Sequence, residues 1–218
     1  MVATVTDKNH FTLTALPSIK KLDDLKGGSI GITAVGATTW VFGRMIAKKM
    51  GWEPDRDVKL VGIGGVDAQA AALKRGEIQA CIFGDGGALL EAQGVGYILM
   101  RLDEVTPKWI SLCAYSTDEI IKAKKDVLTR TLRGLFQGAR FFKENADEGV
   151  RIAAKGLGWP EAAVRRAYAL HRPLLSTDGK IDLDALKFMQ DTLIEVGVVK
   201  QRLPLDQQYT PEFTPVKV

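Results

Sequence analysis

Three short turns in the first half of the chain carry the small and polar residues that a small-molecule site needs. They are ThrAlaValGlyAlaThrThr at 33–39, GlyIleGlyGlyValAsp at 62–67 and PheGlyAspGlyGly at 83–87. Each turn follows an apolar, strand-like run and precedes a helical pattern. In open α/β sheets, ligands bind outside the carboxyl ends of the strands, where helix N-termini present unpaired N–H groups. We therefore predict that the three turns form one wall of a ligand site.

Seven residues in these turns are the predicted ligand contacts: Gly36, Ala37, Thr38, Thr39, Gly64, Gly65 and Asp85. Small residues let a ligand approach the backbone, and the threonine hydroxyls either bind a ligand or cap the following helix. The acidic residue of the third turn has two interpretations, since its carboxylate either caps the next helix or faces a cationic or N–H group of the ligand. The residues alone do not decide whether the threonine hydroxyls bind a ligand or cap a helix, or which of its two roles Asp85 takes.

Sequence signatures of other chemistries are missing. No GlyLys(Ser/Thr) phosphate loop follows a strand, and the first turn does not have the GxGxxG spacing of a dinucleotide site. His10 and His171 stand isolated, and no GxSxG, HExxH or CxxC motif is present. The net charge of +4 arises from interleaved acidic and basic residues, so we expect no nucleic-acid partner. We predict no catalytic residue, metal or cofactor.

The turns must be positioned by a sheet with helices packed on it. Apolar runs predict strands at 11–16, 29–33, 58–63, 78–83, 97–101 and 109–115. Between them, helical patterns cover 39–50, 67–75 with Asp67 as its cap, and a short segment after residue 87. This alternation is typical of an α/β unit with a mostly parallel sheet. Beyond residue 116 the periodicity is helical at 117–144, 147–155, 160–170 and 182–196, and a proline-containing tail follows.

The cysteines and the lengths of the apolar runs limit the classes of protein to which this chain can belong. Cys81 and Cys113 lie in strand-like runs, so we predict two buried thiols rather than a disulfide framework. The longest apolar stretches are far shorter than the roughly 20 residues that cross a bilayer. The first residues show no secretory-signal pattern. The composition is that of a globular protein.

The turns and their neighbours resemble a known family. IleLysLysLeuAspAspLeuLysGlyGlySerIleGlyIleThrAlaValGlyAlaThrThr at 19–39 and the segment 58–85 resemble the second lobe of solute-binding proteins for nitrate, sulfonate, taurine and thiamine precursors. Residues 178–199 are similar to the family's C-terminal helical region. The resemblance implies a type II periplasmic-binding-protein lobe of the α/β class, with a mixed, mostly parallel sheet. It divides the chain into a second lobe with hinge strands (10–116), a helical region (117–203) and an extended tail (204–218).

The resemblance also implies a function. In the family, two lobes close over a small solute and present it to an ABC permease in the membrane, which implies a periplasmic location. The strands near 11–16 and 109–115 would be the hinge crossings. Nothing in the sequence matches the family's first lobe, so we expect impaired ligand trapping. We also expect an uncovered apolar face on the C-terminal helices, with self-association through it.

Two alternative functions stay open at this point. Thiamine-pyrimidine synthases share the family's fold, but they carry a cysteine-rich motif and active-site histidines, whereas this chain has two cysteines and two histidines. A ligand-sensing domain that needs no permease is the second alternative. The solute is also open. Turn N–H groups suit nitrate, sulfonate or carboxylate, and Asp85 would favour an amine or ring N–H, as in taurine or a pyrimidine.

Overall fold

The computed structural model describes residues 1–218 and contains seven strands and eight helices. The strands are β1 Ala3–Thr6, β2 Thr12–Ala15, β3 Ser29–Ile32, β4 Lys59–Gly62, β5 Ala80–Phe83, β6 Tyr97–Arg101 and β7 Leu112–Ala114. The helices are α1 Thr38–Lys49, α2 Val66–Lys74, α3 Gly86–Ala92, α4 Asp118–Ala123, α5 Lys125–Glu144, α6 Ala146–Leu157, α7 Glu161–His171 and α8 Leu183–Glu195. None of these helices is long and apolar enough to cross a bilayer.

Five strands form one mixed sheet in the order β4–β3–β5–β2–β6. Strand β3 is parallel to both β4 and β5, whereas β2 is antiparallel to β5 and β6. The predicted α/β class and mixed sheet are confirmed. The run at 11–16, predicted as a strand, supplies β2, which lies inside this sheet with all four residues buried.

Helices cover both faces of the five-stranded sheet because its strands alternate their side chains. Leu13, Ile30 and Ile82 point to one face, where they form a core with Phe42 of α1 and Trp109. The other face carries Cys81 and a second core with the Ala-rich α2, built from Ala70, Ala72, Leu73, Ile78, Leu90 and Val95. The small side chains of α2 allow this close packing.

A second, two-stranded sheet was missed in part by the sequence patterns. Strand β1 pairs antiparallel with β7, yet its AlaThrValThr sequence gave no apolar signal of a strand. The prediction that both thiols are buried is right for one cysteine and wrong for the other. Cys81 is buried, but Cys113 is exposed because β7 has a single neighbouring strand and leaves one side open. Burial raises the pKa of the Cys81 thiol to about 12.

The C-terminal helices expose several large apolar side chains. The single helix predicted over 117–144 is divided at Lys124 into α4 and α5, and α5 buries Leu132 and Phe136. Large apolar side chains that stay exposed on α5 and α6 are Val127, Leu135, Phe141, Ile152 and Leu157. We call these five residues the open helical face.

The C-terminal tail packs more closely than an extended surface segment would. It contains short 3₁₀ turns at Leu205–Gln207 and Pro211–Phe213. Phe213 and Val216 are buried, and they form a third core with Val2, Ala3, Leu132 and Phe136. The tail thereby ties α5 to the first residues of the chain.

Candidate functional site

The three predicted turns lie at one edge of the five-stranded sheet. Because β3 is parallel to β4 and β5, the carboxyl ends of the three strands meet there, and α1, α2 and α3 begin at the turns. The first two turns are in direct contact, since the Gly64 N–H donates to the Thr33 carbonyl at 3.1 Å. The third approaches the second, because a Cβ built on Gly86 would lie 2.7 Å from Val66 Cγ2.

The first turn exposes backbone donors but uses one of its threonines internally. Thr39 is buried, and its hydroxyl accepts the Thr33 N–H at 2.9 Å and pairs with the Thr33 hydroxyl at 2.8 Å. Its hydroxyl therefore holds the turn against β3. Gly36 and Thr38 are exposed, Ala37 is the N-cap of α1, and no backbone carbonyl accepts the N–H of Thr38. These groups face open solvent.

The second turn presents two glycines at the start of α2. Gly64 has φ of 98°, a left-handed conformation that favours glycine, and Gly65 is the exposed N-cap. Asp67, predicted as the cap, lies instead inside the first turn of α2, where its charge still favours the helix dipole. Sequence reasoning missed Gln69, a fully buried side chain whose Nε2 donates to the Gly64 carbonyl at 2.8 Å. This hydrogen bond holds the second turn in place from its buried side.

Asp85 does not cap α3 with its side chain. It is the N-cap residue of α3, but its carboxylate accepts no N–H of that helix. Asp85 Oδ1 lies 3.2 Å from His171 Nδ1, and the other ring nitrogen, Nε2, lies 3.2 Å from the Thr6 hydroxyl. The last residue of α7 therefore bridges the third turn and β1.

The two histidines, isolated in sequence, are neighbours in the fold. The His10 and His171 rings stack with centroids 5.0 Å apart and an interplanar angle of 5°. His10 Nδ1 is buried and has no hydrogen-bond partner. Burial lowers the pKa of His10 to about 4, with the opposing effect of Asp85 too small to restore it. Nothing in the sequence pattern could have paired residues 161 positions apart.

A small apolar cavity of about 70 Å³ opens beside this pair. Asp85 and His171 form its polar end, and the rest is lined by Phe142, Ala153, Leu157, Trp159, Val164, Ala167 and Tyr168. No cluster of three or more His, Cys, Asp or Glu side chains is arranged to hold a metal ion. The edge therefore combines open backbone donors at the first two turns with a carboxylate at the third turn that is paired with His171.

Comparison with known proteins assigns the family. A family model described as NMT1/THI5 like matches residues 1–149. The chain belongs to the NMT1/THI5-like family. This match covers the five-stranded sheet, all three turns and the whole of α5, so every predicted contact lies in the matched part. No curated protein sequence matches the chain.

Solved structures show which fold this NMT1/THI5-like chain has. The alkanesulfonate-binding protein SsuA from Xanthomonas axonopodis pv. citri, bound to MOPS, is 16% identical, with a TM-score of 0.73 over 95% of this chain and 73% of its own. A Candida albicans protein described as having the generic periplasmic binding protein fold is 15% identical, with a TM-score of 0.72 over 100% of this chain and 73% of its own. The chain has the periplasmic binding protein fold.

The same fold also occurs in an enzyme. The desulfurization enzyme DSZB is 17% identical, with a TM-score of 0.67 over 98% of this chain and 77% of its own. The NMT1/THI5-like chain thus spans about three quarters of the length of each of these three structures. Identity at this level establishes the fold and leaves the ligand to be argued from the site.

Proposed function

We propose that this chain is the solute-binding component of an ABC-type uptake system and that its solute is a small sulfonate-like anion. The observation that carries the proposal is the open edge of the sheet, where the starts of α1 and α2 present Thr38 and Gly65 to solvent. Helix N-termini carry unpaired N–H groups and a partial positive charge, which together suit an oxyanion. A structural neighbour described as alkanesulfonate-binding supports the same solute class.

The pairing of Asp85 argues against an amine as the recognised group. Its carboxylate is within 3.2 Å of His171 Nδ1, so it already has a hydrogen-bonding partner inside the protein. An amine or ring N–H of a solute would have to displace that partner. The first two turns need no such exchange to bind an anion, and we infer that sulfonate-type groups fit better than the nitrogen donors of taurine or a pyrimidine.

The three turns form one wall of a cleft, and we propose that the opposite wall in related proteins comes from their first lobe. Here Val35, in the first turn, leaves 73% of its surface exposed, which suits a residue that a bound solute or a second wall would cover. The family context that we propose for the chain is a permease partner and a periplasmic location.

Replacing Thr38 by Glu tests this site. Thr38 is exposed at the first position of α1, so a carboxylate there is compatible with the helix and even favoured by its dipole. The same charge would repel a sulfonate, and we expect the apparent affinity for short alkanesulfonates to fall at least about tenfold. Isothermal titration and thermal shift measure the loss, with Thr38→Ser as the matched control.

Two results would separate the parts of this proposal. Equal affinity of Thr38→Glu and wild type for a sulfonate would remove the start of α1 from the site. Binding of amines or pyrimidines in preference to sulfonates, in the wild type, would overturn the solute class while keeping the solute-binding role.

A second candidate function is enzymatic, and one observation favours it. The fold is shared with DSZB, and the chain brings Asp85, His171 and a hydroxyl of Thr6 into one hydrogen-bonded series. Thr6 is fully buried in β1, however, so this hydroxyl is closed to a substrate. Desulfination assays with aromatic sulfinates would detect such an activity.

We also propose that the open helical face mediates self-association. Val127, Leu135 and Phe141 lie exposed on α5, and Ile152 and Leu157 lie exposed on α6. Replacing Leu135 by Glu should therefore shift the chain toward monomer at tens of micromolar, as measured by sedimentation velocity. The matched control is Leu203→Glu, because Leu203 is also exposed but lies beyond α8, outside the open helical face. Equal association of both variants and the wild type would contradict the proposal.

A further inference from the structure

The stacked histidines lie where the two-stranded sheet meets the five-stranded one. His10 belongs to the segment that joins β1 to β2, and His171 ends α7, which packs on α3. Through Asp85 and Thr6, the His171 ring connects the third turn to β1. The stack therefore joins the end of α7 to the segment between β1 and β2.

His10 is packed without any partner for its inner nitrogen. Its Nδ1 is buried with no acceptor or donor in reach, and a Cβ built on Gly84 would lie 2.7 Å from its Nε2. A second proton on this ring would need an acceptor that the closed arrangement does not offer. The ring is thus held in its neutral form by packing as well as by burial.

The charged groups that face His10 do not supply that acceptor. Asp85 attracts a charged His10, but its carboxylate is paired with His171, which itself repels a second charge in the stack. Arg101 of β6 lines the same small cavity as His10 and is paired with Asp103 at 3.1 Å. The attraction of the Asp85 carboxylate for a charged His10 is therefore opposed by the His171 imidazole and the Arg101 guanidinium.

We propose that the His10–His171 stack is a pH-sensitive latch that holds the end of α7 against the segment between β1 and β2 at neutral pH and releases it in mild acid. In the released form His10 is solvated and free to take up a proton, whereas in the closed form it is not. The proposal does not depend on the identity of any solute, and its test uses the chain alone.

The size of the effect follows from linkage. The pKa of His10 is lowered to about 4 in the closed form, against an ordinary value of 6.5 when the ring is solvated. The released form therefore binds more protons between these values, so the latch is fully present above pH 6.5 and is lost as the pH falls toward 4. The opening equilibrium should increase by roughly thirty-fold between pH 7.5 and pH 5.

Hydrogen exchange followed by mass spectrometry at pH 7.5 and pH 5, corrected for the intrinsic rate at each pH, tests the latch. We expect peptides that cover residues 7–11 and 169–176 to lose protection by about thirty-fold, while peptides from β3 and β5 keep theirs. In His10→Phe, which keeps an aromatic ring but cannot be protonated, the change should stay within about threefold. Equal loss in the variant and the wild type, or equal loss in the β3 and β5 peptides, would overturn the latch.

A second measurement covers the case in which the variant fails to fold. The chain has two histidines, so an NMR titration of the wild-type imidazole signals resolves both directly. Protonation of the His10 ring that coincides with changed signals at the end of α7 supports the latch. Protonation of His10 with no change at the end of α7, or no protonation down to about pH 4, contradicts it.

Discussion

Phe136→Ala is expected to lower the free energy of unfolding by about 3–5 kcal/mol, the usual cost of deleting a fully buried aromatic side chain. The ring is completely buried in α5 and packs with Val2, Phe213 and Val216, so its loss leaves a cavity where three distant parts of the chain meet. Its edge also contacts Gly179, where a built Cβ would lie 2.8 Å from Phe136 Cζ. Urea unfolding followed by circular dichroism measures the change.

Phe141→Ala is the matched control because it makes the same chemical change in the same helix. Phe141 leaves 43% of its surface exposed, so its removal should cost below about 1 kcal/mol. The measurement is made on dilute protein, so that association through the open helical face does not contribute. Similar losses for the two variants would mean that the tail and β1 do not pack on Phe136 as described.

Gly87→Ala and Gly156→Ala are expected to change stability in opposite directions. Gly87 begins α3 against β2, and a Cβ there would overlap the Thr12 hydroxyl and lie 2.8 Å from the Thr14 hydroxyl. Because α3 must then move off the sheet, we expect a loss of about 2–3 kcal/mol. Gly156 is an exposed position in α6 with no atom within 4 Å of a built Cβ, so alanine should stabilise the helix by up to about 1 kcal/mol.

Thermal unfolding of the two alanine variants and the wild type compares these effects directly. A melting temperature below the wild type for Gly87→Ala and at or above it for Gly156→Ala is the expected pattern. If Gly87→Ala melts like the wild type, the close approach of α3 to β2 is not required, and the position of the third turn has another cause. The comparison therefore tests how the scaffold places Asp85.

The sheet and its helices were predictable because their signals are local. Period-two runs placed β2 to β6 to within about two residues, and Gly51, with φ of 67°, ends α1 as its position in the sequence indicates. Strand β1 was not predicted because its alternating alanine, threonine and valine residues give a weak strand signal. Its pairing with β7 stabilises it in the fold. The exposure of Cys113 was not predicted for a related reason, since a single run of residues does not show how many strands will pair with it.

The sequence by itself determined that three turns share one edge of an α/β sheet, because parallel strands end on the same side whatever packs around them. What each polar side chain does there was decided by the tertiary structure. Thr39 turned inward to Thr33, and Asp85 took His171 as its partner rather than capping α3. The stacking of His10 on His171 likewise depends on where α7 docks. Contacts between residues far apart in the chain arise from packing of whole elements, and no local spacing encodes them.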